Sequence, residues 1–191
     1  MRSFDPRRVG HLECSTWVAY YRRDWPAFLH AAVALTRHSF GLPWPTALRG
    51  AWWVLAANRA WAPFPQNDPA AARRSMLGFY RLVAARHGEE FDLDEAARLE
   101  VDWWRIHREH QHDPEAPGTG PLAAALAALY SHVYGVEADD VLGAAVERAR
   151  AMAHSDAWVA EGCDPASPLI VAERAALVRS YAALLSAVHR V

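Results

Sequence analysis

Lysine is absent from this chain: all 20 of its basic residues are arginine. That excludes a Schiff-base lysine, a phosphate-loop lysine and a Ser-Lys catalytic pair. Abundant alanine beside the arginine fits GC-rich coding. Cysteine is scarce, with only Cys14 and Cys163, too far apart in sequence for a metal or redox spacing. They are expected to be free thiols in a reducing compartment. No apolar run is long enough for a membrane span. The opening Met1-Arg2-Ser3-Phe4-Asp5-Pro6 lacks the apolar stretch of a signal peptide. The expected location is cytoplasmic. No segment alternates with a period of two for long enough to be a strand. Excess positive charge is also missing. The net charge is −2, and Arg7-Arg8, Arg22-Arg23 and Arg73-Arg74 are pairs rather than a stripe. Nucleic acid is therefore not an expected partner.

Apolar residues and tryptophan are plentiful. Apolar residues make up 52% of 191 positions, enough for one helical domain over 1–191 with a real core. Eight of the nine tryptophans lie at or before Trp104, and the alanine-rich remainder holds only Trp158. The segment 113–120, rich in proline and glycine, separates these two parts.

Proline follows Asp5, Asp68 and Ser167 directly and Asp24 at one remove, as at helix starts. Gly41, Gly88, Gly135 and Gly162 fit helix stops. These marks predict helices near 6–23, 26–40, 45–62, 69–87, 93–111, 121–134, 138–161 and 168–189. The fold class is all-α, a single-domain bundle of about eight helices.

At 100° per residue, Leu93, Ala96, Ala97, Glu100, Trp103, Trp104, His107 and Gln111 share one helical face. Arg98, Asp102, Arg105 and Glu109 occupy the opposite face at ion-pair spacing. The first face is the inward one, so Glu100 needs a partner, because a lone buried charge costs several kcal/mol or more. Glu13 shares a stripe with Val9, Thr16, Trp17 and Tyr20. The spacing Glu13, Trp17, Tyr20 repeats as Glu100, Trp104, His107, a short internal echo. In the seventh helix, Ala145, Ala149, Met152, Ala153, Asp156 and Val159 predict an apolar face centred on Asp156.

Three inward acids and an imidazole suit a metal such as Fe or Mn, and Zn less well. Glu13, Glu100, His107 and Asp156 are the candidate ligands, although Glu100 and His107 stand roughly 10 Å apart along their helix. His107 is also a candidate general base and Tyr20 a catalytic hydrogen-bond donor. Trp17, Asn58, Trp103 and Trp104 are expected to wall the pocket of a small, partly apolar substrate. The resulting expectation is a metal-dependent enzyme of oxidoreductase type. The alternative is a non-enzymatic ligand-binding or interaction bundle, in which the same acids form buried ion pairs with Arg23, Arg59 or Arg73. Under the first reading Glu100→Ala loses a metal; under the second it loses stability.

In broad architecture, such a bundle resembles the ferritin-like and haem-oxygenase-like helical oxidases, but the Glu-x-x-His signature of di-iron bundles is absent at these positions. A three-histidine bundle of the thiol-transferase type is another analogy, with His87 and His107 as its only counterparts. No catalytic assignment carries over from either.

Elsewhere, His87 is expected near helix C-terminal carbonyls, His110 and His112 at a solvated helix end, and His30 and Arg37 in solvent. The third helix is apolar nearly all round. It is expected to be central or covered by a second subunit, with Trp52 and Trp53 pointing to different sides. An exposed Trp53 would imply a homo-dimer interface or a lipid-like ligand groove.

Overall fold

The computed structural model describes residues 1–112 and 118–190. Residues 113–117, most of the expected long loop, lie outside the described residues. Among the described residues there are eight helices and no strand: α1 (Pro6–Tyr21), α2 (Trp25–Ser39), α3 (Trp44–Trp61), α4 (Pro69–His87), α5 (Leu93–His112), α6 (Gly120–Tyr134), α7 (Ala138–Ala160) and α8 (Pro168–Val188).

The helix starts have the predicted chemistry. Side chains of Asp5, Asp24, Asp68 and Ser167 accept backbone N–H groups of the first turns, with proline just inside each helix. Gly88 and Gly135 close α4 and α6 in the left-handed conformation, which costs glycine nothing.

Each helix packs on the next in sequence, and α8 returns to α1, so the eight close into a ring. Short connections between antiparallel neighbours give this order directly. The larger buried cluster draws on α3 to α8, from Trp61 and Phe79 through Trp103 and Leu126 to Leu184. A smaller one joins α1, α7 and α8 through Cys14, Trp158, Ile170 and Leu177. Trp158, the isolated tryptophan of the alanine-rich part, is fully buried, and its indole N–H donates to the Asp164 carbonyl at 2.8 Å.

Two glycines set close helix approaches. A Cβ on Gly10 would stand 2.9 Å from the backbone nitrogen of Val178 in α8. A Cβ on Gly78 would meet the Trp53 indole at 2.9 Å. Backbone yields less readily than a side-chain end, so Gly10→Ala should destabilise the ring by about 1–3 kcal/mol despite alanine's better helix propensity. Urea unfolding would show it. An unchanged or raised midpoint would mean that α1 and α8 can separate freely.

One expectation about α3 is corrected. The helix is not central: it is one wall of the ring, and Trp44, Leu48 and Trp52 on its outer side are more than half exposed. Trp52 and Trp53 do point to different sides, but Trp53 faces α4 and Trp52 faces out. His87 receives the chain's terminal amine at Nδ1 (2.8 Å) and donates from Nε2 to the Phe40 carbonyl (2.7 Å). It thus ties the N-terminus to the end of α2, rather than capping its own helix.

Candidate functional site

Glu13 projects inward from α1 and is 3% exposed. It accepts from Arg148 Nη2 of α7 at 2.7 Å and from the Tyr181 hydroxyl of α8. Arg148 also donates from Nη1 to the Tyr130 hydroxyl of α6 at 3.0 Å, and its guanidinium lies 5.5 Å from the Trp103 ring centre. Burial works against the Arg148 charge, but Glu13 and the Tyr130 and Tyr181 hydroxyls outweigh it and hold its pKa well above the ordinary value.

Glu100 projects from α5. Its Oε2 accepts from the Tyr80 hydroxyl at 2.6 Å, and its Oε1 accepts from the Trp104 indole at 3.2 Å. Burial pushes its carboxyl pKa up, while Tyr80, Arg148 and Trp104 act in the opposite direction. Arg148 therefore acts on both inward acids, by contact with Glu13 and through space on Glu100. The internal echo has a structural counterpart here. In each case a glutamate of one helix (α1 or α5) takes a tyrosine hydroxyl from the helix before it in the ring (α8 or α4).

The echo breaks at its third member. His107 is buried, whereas Tyr20 is 40% exposed among Tyr21, Trp25 and Phe28 on the outside. His107 Nε2 pairs with Asp156 Oδ2 at 2.9 Å, and Gln111 donates to Asp156 Oδ1 at 2.7 Å. The Trp17 ring lies 6.4 Å from the imidazole. It is Tyr21, not Tyr20, that reaches this end. Its hydroxyl lies by Gln111 and Asp156, and burial first, then Asp156, pushes its pKa to about 12.

One further inward acid lies outside the stripes read from the sequence. Glu173 of α8 is 2% exposed, and neither of its carboxyl oxygens has a hydrogen-bond partner. Cys14 and Arg174 stand beside it, and Glu13 and Asp156 act on it from farther off. Burial, the largest influence, pushes its pKa to about 8. The neighbouring Cys14 thiol is raised to about 12, again by burial first.

The expected four-ligand set is thus not assembled. Glu13, Glu100 and the His107–Asp156 pair each have their own protein donors. Among the described residues, no group of three or more His, Cys, Asp or Glu side chains stands together as a metal-ligand set. Asp156 does not centre the buried face of α7 and keeps a quarter of its side chain in solvent. That face runs through Val141, Ala144, Ala145, Met152, Ser155 and Trp158, with Arg148 on the same stripe. Asn58 is exposed and bonds back to the Val54 carbonyl of its own helix. Trp103 and Trp104 do line the polar interior. The expected arginine partners are replaced by Arg148: Arg73 instead reaches Asp94, and Arg23 and Arg59 are exposed. Two hollows of about 320 Å³ each lie outside the ring, one along Trp52, Leu55, Ala56, Arg59 and Ala60, the other around Phe4, Asp5, Arg37 and Leu42.

No protein-family model matches this chain, and neither a curated protein nor a solved structure matches it.

Proposed function

We propose that this chain is a non-catalytic interaction module, a helical ring whose inward acids and arginine hold the helices in register. One observation carries this reading: the inward acids named by the sequence analysis spend their oxygens on protein donors. Arg148 and Tyr181 serve Glu13; Tyr80 and Trp104 serve Glu100; His107 and Gln111 serve Asp156. Acids satisfied in this way fix a packing arrangement rather than standing free to react. What the ring offers to its surroundings is then its outer surface.

Elemental analysis of untagged protein, grown with added Fe, Mn and Zn and purified without chelator, tests this directly. The expected result is sub-stoichiometric metal, with the same content in Glu100→Ala and a lower urea midpoint for that variant. A stoichiometric metal lost in Glu100→Ala would overturn the reading and restore the metalloenzyme expectation.

A further inference from the structure

Positions 25–67, which carry α2, α3 and the segment after them, contain three arginines and no aspartate or glutamate. The acids that bracket the stretch, Asp24 and Asp68, are occupied as helix caps. The same stretch supplies six of the ten large apolar side chains exposed among the described residues: Trp25, Leu29, Trp44, Leu48, Trp52 and Phe64. On α3 they form an ordered array. Trp44, Leu48, Trp52, Leu55 and Arg59 follow at steps of four, four, three and four, a single stripe at 100° per residue. Trp52 is 60% exposed and Trp44 54%. The Arg37 guanidinium lies 4.9 Å from the Trp44 ring centre, and Arg49 and Arg59 are exposed on α3. An otherwise slightly acidic chain thus carries one acid-free, arginine-bearing, tryptophan-rich face.

Resting on the reading of the chain as an interaction module, we infer that the outer face of α2 and α3 docks on an anionic lipid bilayer surface. Tryptophan favours the boundary between headgroups and acyl chains, and an amphipathic helix lies there with its apolar stripe inserted. Arginines beside the stripe meet anionic headgroups, and neither α2 nor α3 carries a carboxylate to oppose them. A second copy of this chain fits less well, because an isologous dimer sets two acid-free, arginine-bearing faces together and offers neither a carboxylate. A folded protein partner would be expected to bury its anchors in pockets, whereas the hollow along α3 is lined by that helix alone. The docking is peripheral, because among the described residues no helix is long and apolar enough to cross a membrane.

The test is co-sedimentation of the full chain with vesicles of phosphatidylcholine alone or with one third phosphatidylglycerol, at low and high salt, read together with tryptophan emission. The expected result is binding to the anionic vesicles with a blue-shifted emission, weakened by salt and much weaker on neutral vesicles. Neutralising Arg49 or Arg59 to glutamine should weaken it about fivefold each. Trp52→Ala should weaken it at least as much, with unchanged circular dichroism, and Val171→Ala on α8 should leave it intact. No sedimentation with anionic vesicles, equal binding to neutral ones, or indifference to both Trp52→Ala and the arginine variants would overturn the inference. So would self-association in size-exclusion chromatography that Trp52→Ala abolishes, which would make the face a homo-dimer interface. A stoichiometric metal would overturn the reading of the interior while leaving the vesicle result standing, so the two failures are distinguishable.

Discussion

Arg148→Met should destabilise the protein by about 3–5 kcal/mol, among the largest effects of any single substitution in the chain. The guanidinium is the cationic partner of Glu13, a carboxylate that is 3% exposed. Removing one member of a buried pair leaves the other charged without water or a counter-ion, and costs of that order follow. At roughly 2–4 °C per kcal/mol for a chain of this size, Tm should fall by about 10 °C. The double variant Glu13→Gln/Arg148→Met should regain much of the loss, because it removes the orphaned charge and keeps an acceptor for Tyr181. Arg98→Met supplies the contrast. Arg98 bonds Glu95 at 2.7 Å and Asp102 at 3.3 Å, yet all three side chains are more than a third exposed, and the cost should stay below about 1 kcal/mol. Urea unfolding of the four proteins decides it. If Arg148→Met costs no more than Arg98→Met, Glu13 is not held as a buried anion and the network does not fix the ring.

Much of this architecture is written in local signals. Proline marks open six of the eight helices, all but α5 and α7, because capping and proline geometry act within a few residues and need no tertiary context. The α5 stripe separates cleanly, because Arg98, Asp102, Arg105 and Glu109 populate one side and tryptophans the other. The structure has His107 buried, Glu100 half-buried, and Arg98 and Arg105 paired with acids on the solvent side. On α7 the buried face lies about one position from the predicted one. Alanines surround that helix, so period and phase are weakly defined. The true stripe holds Arg148 at the spacing of core residues, three after Ala145 and four before Met152. An arginine on such a stripe reads as an edge residue until a facing carboxylate is known, and Glu13 lies on a helix 135 positions away in sequence. Tyr20 and Tyr21 pose a similar problem at the end of α1, where a rotation of 100° decides which ring turns inward. The outer face of α3 was legible as apolar; that the ring leaves it uncovered follows only from the order in which the helices close.

Glu173→Gln should stabilise the protein at alkaline pH and leave it nearly unchanged in acid. Burial raises the Glu173 carboxyl from the ordinary 4.5 to about 8 in the folded state. Between those values the folded chain keeps a proton that the unfolded chain has released, so stability falls as pH rises through this window and levels off above about 8. At 1.36 kcal/mol per pH unit the accumulated penalty approaches about 4–5 kcal/mol, and partial relaxation around the site makes about 2–4 kcal/mol the working expectation. Arg174 offsets part of the cost, and Glu13 and Asp156 add to it. Cys14, raised to about 12, stays a neutral thiol throughout this range. The glutamine amide has nearly the shape of the protonated acid but cannot ionise, so it is spared the penalty. Urea midpoints of the parent and variant at pH 5, 7 and 8.5 cancel contributions from every other titrating group. The gap should be near zero at pH 5, clearly in favour of glutamine at pH 7, and largest at pH 8.5. A gap independent of pH would mean that Glu173 is ionised in the folded chain with a counter-charge or water close by, and the smaller core around Cys14 and Trp158 would then be wetter than its packing implies.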